Sequence, residues 1–67
     1  MQYEIRLAGH LPRNWTDWFD GFARTVDERG EIVLAGAVPD QQALAGLITA
    51  ICNMNLTLLS VRRLDRK

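Results

Sequence analysis

Sixty-seven residues include a single cysteine, Cys52, and a single histidine, His10. One thiol cannot close an internal disulfide, so no disulfide framework holds this chain. A structural zinc site generally takes about four ligands, and only these two soft side chains are on offer. No metal or other cofactor is expected. A surplus of one charge is missing too, because eight Lys+Arg balance eight Asp+Glu. That balance argues against gripping nucleic acid or an anionic membrane through bulk charge. Long apolar runs are also scarce. The stretch Ala43 to Cys52 is interrupted by Gly46 and Thr49, and it falls far short of the ~20 residues that cross a bilayer.

Known catalytic signatures are absent as well: there is no P-loop, GxGxxG, GxSxG or HExxH. Asp17, Asp20, Asp27, Glu28 and Glu31 show neither EF-hand nor catalytic spacing and read as solvated surface. An enzyme is not expected. The opening MQYEIRLAG lacks a basic segment followed by an apolar one, so it does not read as a secretory signal. Together with the lone thiol, this makes a cytoplasmic location the expectation.

What is present is a globular composition, 48% hydrophobic and 24% charged, in a chain long enough for one domain over 1–67. Residues 2–8 alternate, with Tyr3, Ile5 and Leu7 facing one way and Gln2, Glu4 and Arg6 the other, which predicts a half-buried strand. After Gly9 and His10, the residues Leu11, Trp15, Trp18, Phe19 and Phe22 follow at offsets of 4, 7, 8 and 11. That spacing predicts a first, aromatic helix opening at Pro12 and ending at Gly21. It places at least one tryptophan in the core. Residues 22–27 and 31–35 then form a hairpin around Glu28-Arg29-Gly30.

Asp40 follows Pro39 as a helix N-cap. Leu44, Leu47, Ile48, Ile51 and Cys52 repeat at offsets of 3, 4, 7 and 8, an amphipathic second helix with Cys52 as a buried, inert thiol. Asn55 stops it in a left-handed conformation. A last strand spans 56–64, with Leu59 and Val61 on one face and Leu58, Ser60 and Arg62 on the other. Arg62, Arg63, Arg66 and Lys67 make 62–67 a basic, frayed C-terminal tail. The order β-α-β-β-α-β predicts an α+β, ferredoxin-like domain, a four-stranded antiparallel sheet with two helices on one face.

Tyr3-Glu4-Ile5-Arg6-Leu7-Ala8-Gly9-His10-Leu11, followed by Trp15, Trp18 and Phe19, carries a resemblance. So do the run Gly36-Ala37-Val38-Pro39-Asp40-Gln41-Gln42-Ala43-Leu44-Ala45-Gly46-Leu47-Ile48 and the closing Leu58-Leu59-Ser60-Val61-Arg62-Arg63. Together these segments resemble a widespread family of uncharacterised small bacterial proteins, over nearly the whole chain. Members often have glycine where Asn55 stands. The Val38–Leu44 segment and the Leu58–Val61 run are also loosely similar to small regulatory domains of the ACT type. That likeness implies a metabolite-sensing site, but a shared fold does not license a function.

The expected function is that of a small non-enzymatic association module, acting as a homodimer or through a protein partner. A domain below ~70–80 residues rarely gains more than about 3–5 kcal/mol from its own core, so association is a common supplement. The expected contact is the open sheet face, where Val33, Ala35 and Leu58 make an apolar middle rimmed by Glu4, Arg6 and Arg62. The alternative is an ACT-like sensor of a small metabolite at the first strand–helix turn, with Gly9, His10 and Arg13 around an anion. Otherwise His10 is a capping or surface group. RNA binding through the open face is not expected, since no aromatic side chain is placed there.

Overall fold

Alternation decides the first strand. In this computed structural model, which describes residues 1–65, Tyr3, Ile5 and Leu7 are buried and β1 runs Gln2–Ala8. The hairpin follows as β2 (Ala23–Val26) and β3 (Ile32–Ala37), and β4 is Thr57–Arg63. The sheet order is β2-β3-β1-β4 with antiparallel neighbours throughout, so β1 and β3 lie at the centre. Tyr3 sits opposite Gly36, Ile5 opposite Leu34 and Leu7 opposite Ile32, which puts both strands' inward residues on one face.

That face is covered by α1 (Gln41–Asn53). Asp40 starts the helix by accepting a hydrogen bond from the Ala43 amide at 2.8 Å. Asn55 ends it at φ +63°, in the left-handed region that asparagine tolerates. Leu44 and Ile51 are the buried helix residues, and they pack with Ile5, Leu7, Leu34, Phe19, Phe22, Val38 and Leu56. Leu47 and Ile48 are only half-buried. Cys52 is exposed, contrary to its expected burial. At offset 8 it has rotated about 80° from Leu44, whereas Ile51 at offset 7 stays within about 20°.

The two-helix, ferredoxin-like arrangement is not what forms. Among the described residues there is one α-helix; the segment between β1 and β2 contains only a three-residue 3-10 turn, Trp15–Asp17. Its backbone closes short turns instead, with Trp15 N–H donating to Pro12, Asp17 to Asn14 and Phe22 to Phe19. The composition explains this. Asn14, Thr16, Asp17 and Asp20 are poor helix formers crowded into ten positions before Gly21, and so short a helix has little intrinsic stability. The aromatic stripe therefore serves a coiled loop. Phe19 alone goes fully inside; Trp15 is half-buried and Trp18 stays 43% exposed.

Two further expectations change at β4. The pairing with β1 shifts between Arg6, opposite Ser60, and Leu7, opposite Leu58, leaving Leu59 out of the ladder as a bulge. Leu58 therefore shares a face with Leu7 and packs against the core, not on the open face. Leu59 is exposed instead. Arg62 and Arg63 are paired strand residues, not a frayed tail; Arg66 and Lys67 lie outside the described residues.

Candidate functional site

The segment from Gly9 to Phe22 is a plug rather than a helix. Gly9 turns the chain off β1 at φ +123°, with Leu56 so close that a Cβ would meet it at 2.9 Å. Phe19 then anchors the plug, its ring 5.8 Å from Phe22 in an edge-on contact and 6.4 Å from Trp15. Because Phe19 points inward, its neighbour Trp18 is left outside, against α1.

A groove forms there. Its upper part, about 390 Å³, lies between Trp18, Phe22, Val38 and Pro39 on one side and Ala43, Gly46, Leu47 and Ala50 of α1 on the other. The lower part, about 570 Å³, continues past Trp18 along Gly46, Thr49, Ala50 and Asn53 to Met54. Trp18, Gly46 and Ala50 belong to both. The groove thus follows α1 for most of its length, about 20 Å for 13 residues.

Its electrostatics are unusual for a surface. None of the 13 residues of α1 is charged, although Gln42, Ala45, Gly46, Thr49, Cys52 and Asn53 are all exposed. Solvent faces of helices normally carry charge. The charged groups in the lining are Asp17 and Asp20, both exposed, at the plug side of the upper part. Gly46 is the second anomaly. A Cβ built on it meets nothing within 4 Å, so neither a close approach nor a turn calls for glycine in mid-helix.

The residues singled out from sequence lie elsewhere. Gly9, His10 and Arg13 are exposed on the turn after β1, and none of them lines the groove. Glu4, Arg6, Val33, Ala35 and Arg62 share the open sheet face, where Arg6 pairs with three carboxylates: Asp27 at 2.9 Å, Glu4 at 3.6 Å and Glu31 at 3.9 Å. Arg62 reaches Glu4 at 3.4 Å. Val33, the expected centre of a contact, is 9% exposed already. Among the described residues no group of His, Cys, Asp and Glu could hold a metal ion.

Two aspartates are tied to the fold. Asp27 accepts the Glu31 and Arg29 amides at 2.9 Å, closing the β2–β3 turn, and these bonds, with Arg6 nearby, hold its carboxyl below the usual range. Asp65 is bound by the Arg63 guanidinium and the Gln2 amide, which lower it to about 2. Both pKa values are depressed on folding, so their contribution is present above the unfolded value near 4 and is lost as pH falls below it. Thermal melts should therefore hold steady from neutral pH to about 5 and decline between about 4 and 2. Asp65→Asn should flatten part of that decline; an equally steep decline in this variant would remove Asp65 from the account.

A single-layer antiparallel sheet backed by one uncharged helix, with a groove along that helix, defines a small α+β domain. The chain belongs to the family described as a domain of unknown function, DUF8691, whose family model matches residues 2–62. Neither a curated protein nor a solved structure matches the chain.

Proposed function

We propose that this domain is a non-enzymatic association module that seats an apolar helical segment of a protein partner in the groove between Trp18 and α1. One observation carries the reading: Gly46 sits in the middle of α1, on the groove wall, where the fold has no use for glycine. Mid-helix glycine costs about 0.5–1 kcal/mol relative to alanine. An unfilled position beside an exposed tryptophan lets another backbone approach closely, as in helix-in-groove recognition. The groove's length suits an extended element better than a compact metabolite, and its charged lining groups, Asp17 and Asp20, both come from the plug rather than from facing walls as around a small molecule.

The helix side also suits association better than the open sheet face. There Val33 is covered and the charges around it satisfy one another within the chain. The ACT-like alternative loses its support, since the exposed turn of Gly9, His10 and Arg13 forms no cleft with the groove.

Gly46 supplies the test. Gly46→Ala should raise stability by about 0.5–1 kcal/mol in urea unfolding, because the added methyl meets nothing. Gly46→Leu should fold but fill the groove. A synthetic amphipathic helix with leucine along one face, titrated into labelled protein, should shift the amide resonances of Trp18, Gly46 and Ala50. In Gly46→Leu those shifts should vanish. Binding that is indifferent to Gly46→Leu, or shifts confined to the open sheet face, would exclude the groove.

A further inference from the structure

We infer that the segment received by the Trp18–α1 groove carries lysine or arginine beside its apolar face, and that Asp17 and Asp20 read this charge. The inference rests on the association reading above and names the partner's chemistry.

It begins with what each aspartate does. Asp27 accepts two backbone amides and the Arg6 guanidinium. Asp40 caps α1. Asp65 clamps Gln2 and Arg63. The carboxylates of Asp17 and Asp20 make no hydrogen bond or ion pair among the described residues. They are the two aspartates without a part in holding the fold, and both line the groove. No basic residue lines either part of it.

The two carboxylates flank Trp18 in sequence, one position before it and two after it. The indole offers apolar surface to the segment's hydrophobic face and a negative ring face to a cation. α1, opposite, offers no charge of either sign. A basic residue on the flank of the incoming helix therefore meets attraction from the plug and none of the repulsion an acidic flank would meet. Charge complementarity also disfavours a second copy as the occupant. A two-fold pairing through this face would bring the Asp17 and Asp20 of both copies into one interface, with no basic residue in the groove lining to pair with them.

The test uses three synthetic amphipathic helices with one leucine face and lysine, glutamine or glutamate on the flanks. Each is titrated into the intact protein at low salt, and the resonances of Trp18, Gly46 and Ala50 are followed. The lysine peptide should bind roughly three- to tenfold more tightly than the glutamine peptide, and the glutamate peptide more weakly still. Added salt should shrink the spread, because these carboxylates are exposed. In the Asp17→Asn, Asp20→Asn double variant the spread should close while the glutamine peptide binds as before. Thermal stability should be unchanged, since neither side chain bonds within the described residues. Equal affinity for all three peptides, or a lysine preference that survives the double variant, overturns the inference and leaves the association reading standing. Failure of every peptide to shift the groove resonances overturns both.

Discussion

Phe19→Ala is expected to leave the domain largely unfolded at room temperature. Phe19 is completely buried, although it lies in a coiled segment with no regular hydrogen-bond ladder of its own. Its ring joins Trp15 and Phe22 of the plug and belongs to the same core cluster as Ile5, Leu34 and Ile51. Removing a buried phenylalanine side chain costs about 3–5 kcal/mol. A domain of this size holds roughly the same amount in total. The plug has no helix to fall back on, so losing its anchor releases everything from Gly9 to Phe22. Circular dichroism and urea unfolding check this, with Trp18→Ala as the control: at 43% exposure its loss should cost under about 1 kcal/mol. A Phe19→Ala protein that loses less than about 1 kcal/mol would show that the plug is held elsewhere.

Gly36→Val is expected to be the second severe substitution, for the opposite reason. Gly36 is on the inward face of β3, opposite Tyr3, and the Phe22 ring lies directly on it. A Cβ there would stand 2.7 Å from two ring carbons and 3.0 Å from the Phe22 backbone. The ring has little freedom to retreat, because it is buried and already packed edge-on with Phe19. The backbone cannot retreat either, because Ala23 begins β2 one residue later. Overpacking of this kind typically costs about 1–3 kcal/mol, and valine adds two further methyl groups to the clash. Gly36→Ala should show a smaller loss of the same origin. The paired change Gly36→Ala, Phe22→Leu should recover part of it, whereas independent, additive losses would mean that the two residues do not touch.

The sequence was readable wherever local rules decide the structure. Period-two alternation marked β1, the glycine-bearing turn marked the hairpin, and Asp40 and Asn55 marked the ends of α1 through their capping chemistry. The Gly9–Phe22 segment misled because a stripe at helical spacing need not be a helix. Its side chains fill the core just as well from a run of short turns, and its Asn, Thr and Asp content favours those turns. Leu58 and Leu59 exchanged roles because a bulge resets the two-residue period, and nothing in the local pattern announces one. The groove was written in the sequence as an absence, a helix without charge and with a glycine at its middle. Those signals point to a site only once Trp18 is known to lie outside the core. Spacing alone placed Arg6 on the open sheet face, but the three carboxylates of its own chain that surround it there come from β1 and the β2–β3 turn and show only in the folded pairing.

The placement of β1 at the centre of the sheet bears on how the chain reaches this structure. Both neighbours of β1 come much later in sequence: Tyr3 pairs with Gly36 on one side and with Arg63 on the other. Neither contact is local, and closing the larger loop costs entropy before any burial repays it. The β2–β3 hairpin and α1 are local and can form early. Folding should therefore wait on the capture of β1, giving a slow, single-phase reaction in the millisecond-to-second range typical of sheet-dominated topologies. Until that step Ile5, Leu7 and Leu34 stand bare, so the unfinished chain is the species most exposed to aggregation.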